Sequence, residues 1–160
     1  VRCDAERRRQ LELALTEARA RAAQAPEDHD LTLDIGDALL NLGRLEEARA
    51  TLEPLLRLAA DDPYVAISVA RARTATGDRA GARQALDRAA ELWRAGREPA
   101  LGTLAYNIGS AWVLLDTQVA LEWLLRARDQ YGVDRVDLAL DPDLDELRRR
   151  GLLAPLEARR

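Results

Sequence analysis

The stretch HDLTLDIGDALLNLGRLEEARATLEPLLRLAADD, His29 to Asp62, is followed at once by PYVAISVARARTATGDRAGARQALDRAAELWRAG, Pro63 to Gly96, and the two are copies of one pattern 34 residues long. Laid over each other they pair Ala38 with Ala72, Gly43 with Gly77, Ala48 with Ala82, Arg49 with Arg83, Leu52 with Leu86 and Leu58 with Leu92. Leu31 and Val65, Leu33 and Ile67, Ile35 and Val69, and Gly36 and Ala70 are matched in kind. A fixed period in this range marks stacked helical hairpins, each burying its apolar face on the next. Small residues at Gly36 and Ala48 let the two helices of a hairpin approach, Leu39, Leu45 and Leu52 fill the seam, and Gly43 suits a left-handed residue closing the first helix. Repeat 2 keeps the small pair as Ala70 and Ala82, with Gly77 as the closing glycine.

Working outward from there, the segment 4–26 reads as one helix over 4–25, with Asp4 as N-cap and a stripe of Leu11, Ala14, Leu15, Ala18, Ala22 and Ala25. It is expected to be half a repeat, ahead of repeat 1 (29–62) and repeat 2 (63–96). The second helix of repeat 1, about 45–59, carries Pro54, which predicts a kink. After a longer link through Arg97, Glu98 and Pro99, repeat 3 (100–132) restores the pattern with Leu104, Ile108, Gly109 and Ala111. A segment at 133–160 closes the chain. In it Asp141-Pro142-Asp143-Leu144-Asp145-Glu146-Leu147 reads as a capped short helix ended by Gly151.

The segment Ile35-Gly36-x-x-Leu39…Gly43-Arg44-Leu45-Glu46-Glu47-Ala48…Leu52 resembles the tetratricopeptide (TPR) repeat. The block from Ala120-Leu121-Glu122-Trp123-Leu124 to Asp141-Pro142-Asp143-Leu144 resembles the end-of-group region that closes TPR arrays in bacterial proteins. Arg73 departs from the family pattern, which has a large apolar residue there. The resemblance implies an all-α, right-handed α-solenoid of TPR-like hairpins with a C-terminal capping helix. It also implies a non-catalytic scaffold or adaptor that holds a protein or peptide in its concave groove.

Composition narrows the alternatives. The chain of 160 residues is 48% hydrophobic, enough for one domain with a real core. Its net charge of −4 and the lack of a basic stripe argue against nucleic acid. No apolar run reaches the roughly 18 residues of a membrane span. The opening Val1-Arg2-Cys3-Asp4 has no apolar signal segment, and one cysteine cannot form an internal disulfide, so a cytoplasmic setting is expected. The absence of lysine and phenylalanine fits a GC-rich bacterial genome.

Catalytic material is sparse. His29 lies in an acidic turn, Cys3 has no histidine beside it, and without lysine neither a Schiff base nor a phosphate-loop lysine exists. Asp141-x-Asp143-x-Asp145 imitates a calcium loop, but Glu146 stands where glycine is needed and Leu152 where a glutamate is needed. No enzyme activity, metal or cofactor is therefore expected.

What remains is binding. By the family resemblance, the first helix of each repeat lines the concave surface. Carried onto this chain, that surface includes Asp30, Asp34, Asp37 and Asn41 from repeat 1, Tyr64, Ser68 and Arg71 from repeat 2, and Tyr106, Asn107 and Ser110 from repeat 3. Asp30, Asp34 and Asp37 share one helix face, either as a solvated surface or as an acidic wall for a peptide with basic and apolar residues. Trp93, Trp112 and Trp123 are expected to pack between helices. Two alternatives stand beside the peptide scaffold. One is a homodimer built on the stripe of the first helix, and the other is a regulatory C-terminal region of a larger bacterial signalling protein.

Overall fold

The structure, a computed structural model, describes residues 2–58, 60–96, 101–133 and 141–157. It is helical throughout, with no strand among the described residues. The elements are α1 (Arg2–Gln24), α2 (His29–Asn41), α3 (Leu45–Leu52), α4 (Leu55–Leu58), α5 (Pro63–Ala75), α6 (Arg79–Ala95), α7 (Leu101–Trp112) and α8 (Thr117–Tyr131). A 3-10 turn (Pro142–Leu144), a short helix (Asp145–Arg149) and a last turn (Ala154–Glu157) follow.

Local chemistry sets these boundaries. Asp28, Asp62 and Asp116 each turn a carboxylate back onto two amides of the helix that follows, and Asp78 does so onto Gly81 N. Gly43, Gly77, Gly132 and Gly151 hold left-handed φ of 67° to 87°, which a side chain would strain. Two expectations are corrected. The backbone is already helical at Arg2, so Asp4 lies inside α1 and is not its cap. The second helix of repeat 1 is broken rather than bent, because Glu53 and Pro54 separate α3 from α4. The link through Arg97, Glu98 and Pro99 lies outside the described residues.

The hairpin seam has one recurring contact. A Cβ on Gly36 would collide with the Leu52 side chain, and one on Gly109 would lie 2.9 Å from Leu124 Cγ. Repeat 2 fills the same place with Ala70 and Leu86, both fully buried. The residue that nests on Gly36 is thus Leu52, one helical turn beyond Ala48, which faces Leu15, Ile35 and Leu39 instead.

The repeated arginine joins neighbouring hairpins. Arg49 Nη1 donates to Thr76 Oγ1 (3.1 Å), at the C-terminus of α5, and Arg83 Nη2 donates to the Leu115 carbonyl (3.4 Å), just past α7. Both cations sit where helix carbonyls are unpaired and the dipole is negative.

The tryptophans pack as expected. Trp93 and Trp123 meet edge-to-face at 5.0 Å, with Arg126 over both rings, and Trp93 Nε1 donates to the Leu101 carbonyl (3.0 Å). Trp112 is buried beneath Arg83.

Candidate functional site

The first helices of the three repeats lie side by side, α2 against α5 and α5 against α7, and make one face of the array. The C-terminal segment crosses this face. Asp141 caps its own 3-10 turn by accepting from Asp143 N (2.8 Å) and also accepts from the Tyr106 hydroxyl. Asp143 pairs with Arg71 at 2.6 Å. Leu144 and Leu147 then enter the main core with no exposed surface. Farther on, Arg128 donates to the Leu156 carbonyl (2.9 Å) and ties the chain end to α8.

The predicted groove residues separate into three groups. Asp30, Asp34 and Asn41 are exposed along α2. Arg71 and Tyr106 meet the crossing tail, Ser68 is buried and serves Asp37, and Tyr64 packs partly against the main core. Asn107 and Ser110 follow on α7, where Ser110 Oγ donates to the Asn107 carbonyl (3.1 Å). Ile67, also placed on this surface by the resemblance, is buried in the core.

Asp37 differs from the exposed helix-face residue that its spacing predicts. Its Oδ1 is buried without a hydrogen-bond partner, although the Ser68 hydroxyl serves the carboxylate. Burial is the main force and raises the carboxyl above its ordinary value, against the pull of Ser68 and Arg71. The three acids therefore do not form one uniform wall: two stand in water and one lies in the floor.

Below the crossing tail is a cavity of about 630 Å³, lined in part by Leu11, Leu40, Asn41, Thr74, Ser110 and Leu114. Arg7 and Arg8 of α1 border it on one side, and Asp143, Asp145, Glu146 and Arg149 on the other. Its lining thus combines apolar side chains with charged ones, the usual mixture in a binding site. The α1 side of this site was not legible as a groove wall, because the family pattern assigns the concave surface to first helices only. The tail side was missed because no local spacing relates Asp143 to Arg71, 72 positions away.

No group of three or more metal-ligating side chains gathers among the described residues. No helix among them is long and apolar enough to cross a membrane. In the stretch resembling a calcium loop, Asp141 caps a turn, Asp143 meets Arg71 and Asp145 meets Arg148.

Comparison with known proteins agrees with the fold. Residues 9–72 match the family model described as tetratricopeptide repeat, which takes in most of α1, the whole of repeat 1 and the greater part of α5. Over residues 9–72 the chain thus matches the tetratricopeptide repeat, a repeat that generally mediates protein–protein contact. It is 30% identical over 136 residues to "Cellulose synthase operon protein C" of Xanthomonas axonopodis pv. citri (strain 306). That match covers 83% of this chain but spans only 9% of the length of that protein. No solved structure matches the chain significantly.

Proposed function

We propose that the chain is a non-catalytic scaffold that holds a segment of another protein in its concave groove. The observation that carries this reading is the cavity of about 630 Å³ on the face formed by the first helices, lined by apolar and charged side chains. Helical-repeat proteins expose such surfaces because each repeat satisfies only its neighbours and leaves one side open. Asp30 and Asp34 form the acidic edge of the groove and favour basic residues beside an apolar anchor. Asp37, Tyr64, Ser68, Arg71, Tyr106, Asn107 and Ser110 supply the floor. No nucleic acid or membrane partner is expected, and the setting is cytoplasmic.

The test is a titration with a fluorescent synthetic peptide of alternating lysine and leucine at two salt concentrations. Binding should weaken as salt screens the carboxylates over about 8–10 Å. It should also weaken several-fold in Asp30→Asn/Asp34→Asn. Equal affinities and no salt dependence would move the basic-partner site away from α2.

One observation favours a second reading. The α1 stripe expected at a dimer interface is largely taken up by α2 and α3, where Leu15, Ala18 and Ala22 pack, so the reading shifts to Leu13, which lies off the stripe and is 59% exposed. Light scattering on the purified chain separates a homodimer from a monomeric scaffold. The short span of the chain against its relative supports a third reading, a regulatory region within a longer protein.

A further inference from the structure

We infer that the cavity between α1, the first helices and the tail takes an acidic, leucine-bearing segment of a protein partner, recognised by Arg7 and Arg8. This rests on the reading of the groove as a partner surface and departs from its preference for basic residues, which belongs to Asp30 and Asp34 on α2, outside the cavity lining.

Three observations carry the inference. The first is an unbalanced charge. On the tail side, every acid of the rim already has its cation: Asp143 pairs with Arg71, Asp145 with Arg148, and Glu146 with Arg149 and Arg150. On the opposite side Arg7 and Arg8 are exposed and make no ion pair among the described residues. The charge left for an incoming group is therefore positive at this end, although the whole chain is at −4.

The second is the apolar floor. Leu114 is 60% exposed at the cavity and stands with Leu40 and Leu11, so it is an unfilled contact for an apolar side chain. Asn41, exposed beside them, has a side-chain amide with no hydrogen bond among the described residues. An amide offers both a donor and an acceptor to a passing backbone.

The third is that the chain displays the mode of recognition on itself. In the tail an aspartate sits on Arg71 and the next residue, Leu144, is wholly buried. An acid followed by leucine is thus a pattern this face already accommodates. The cavity next to it repeats the ingredients, with Arg7 and Arg8 beside Leu11, Leu40 and Leu114.

The experiment uses two labelled synthetic peptides read by fluorescence anisotropy against the full chain. One alternates aspartate or glutamate with leucine, and the other replaces each acid by lysine. The acidic peptide should bind and should weaken about fivefold to tenfold in Arg7→Glu/Arg8→Glu, the scale set by two exposed ion pairs. Arg9→Glu/Arg21→Glu makes the same change of net charge on exposed parts of α1 outside the cavity and should leave binding within about twofold. Leu114→Asp should weaken it as the arginine pair does. Circular dichroism melts confirm that the variants stay folded, and Arg7→Gln/Arg8→Gln replaces the reversal if it does not.

Failure of the acidic peptide to bind, or equal losses in the two double variants, would overturn the assignment to Arg7 and Arg8. If the lysine peptide alone binds, the inference falls while the groove reading stands. If neither binds, both fall.

Discussion

At the residue scale, two ionisable groups behave oppositely. Burial holds the Asp37 carboxyl above its ordinary value, so the folded chain binds that proton more tightly than the unfolded chain does. Stability from this group is greatest at low pH and declines as pH climbs from the unfolded value of about 3.9 through the raised folded one. Asp37→Asn should therefore stabilise the chain by about 1 kcal/mol at pH 7, an advantage that vanishes below about pH 4. Urea melts at both pH values check this, and an unchanged midpoint at pH 7 would contradict it. Glu53 goes the other way. Arg73 donates two hydrogen bonds of 2.8 Å to it and one of 3.0 Å to the Gly81 carbonyl, and the Arg73 bonds hold the Glu53 carboxyl below its usual range. This contribution is present above the unfolded value of about 4.3 and is lost as pH falls through the depressed folded value. Arg73→Ala should cost about 1–2 kcal/mol at neutral pH, with the difference closing in acid. The residue that breaks the family pattern thus works as a polar clamp on the α3–α4 break. Its departure was visible in the sequence, but its partner 20 positions upstream was not.

At the scale of the element, the repeat was legible because helix caps and small-residue positions are local. Asp141 caps its turn where the sequence places it, and the closing glycines Gly43, Gly77 and Gly151 take left-handed φ. The identity of Arg49 and Arg83 was visible as a coincidence but gained its reason only from the stacking of hairpins. Each arginine reaches the C-terminal end of the next repeat's first helix, and Leu121 occupies the corresponding place in repeat 3. Side-chain register across a seam was less legible, since spacing paired Gly36 with Ala48 while packing seats Leu52 on the glycine. Ala48 is nonetheless fully buried between α1 and α2. Ala48→Leu should overpack that seam and cost about 1–3 kcal/mol in a thermal or urea melt. An unaltered transition would mean that α1 yields without loss.

At the scale of the molecule, the buried residues fall into three clusters, and the largest gathers repeat 2, repeat 3 and the tail. The tail was read from sequence as a cap for the last apolar face. Leu144, Leu147, Leu153 and Leu156 do enter that cluster, yet the same segment also reaches back across the groove to Arg71. The tail therefore touches repeat 2 as well as its neighbour, repeat 3, beyond the nearest-neighbour coupling of a simple array. The first helix belongs to a separate cluster centred on Leu15, Ile35, Leu39 and Ala48. Two truncations should then have different reach. Leu147→Ala removes a wholly buried side chain from the shared core and should cost about 2–5 kcal/mol. Hydrogen exchange should rise together over α5 to α8, because these helices share its cluster. Leu15→Ala should cost a similar amount per buried methylene, but its exchange should rise chiefly in α1 and α2, where local opening needs no disruption of the larger core. A rise confined to the tail in Leu147→Ala would show the cap to be an independent unit, and the coupling of cap to repeat 2 through Asp143 and Arg71 would carry no stability.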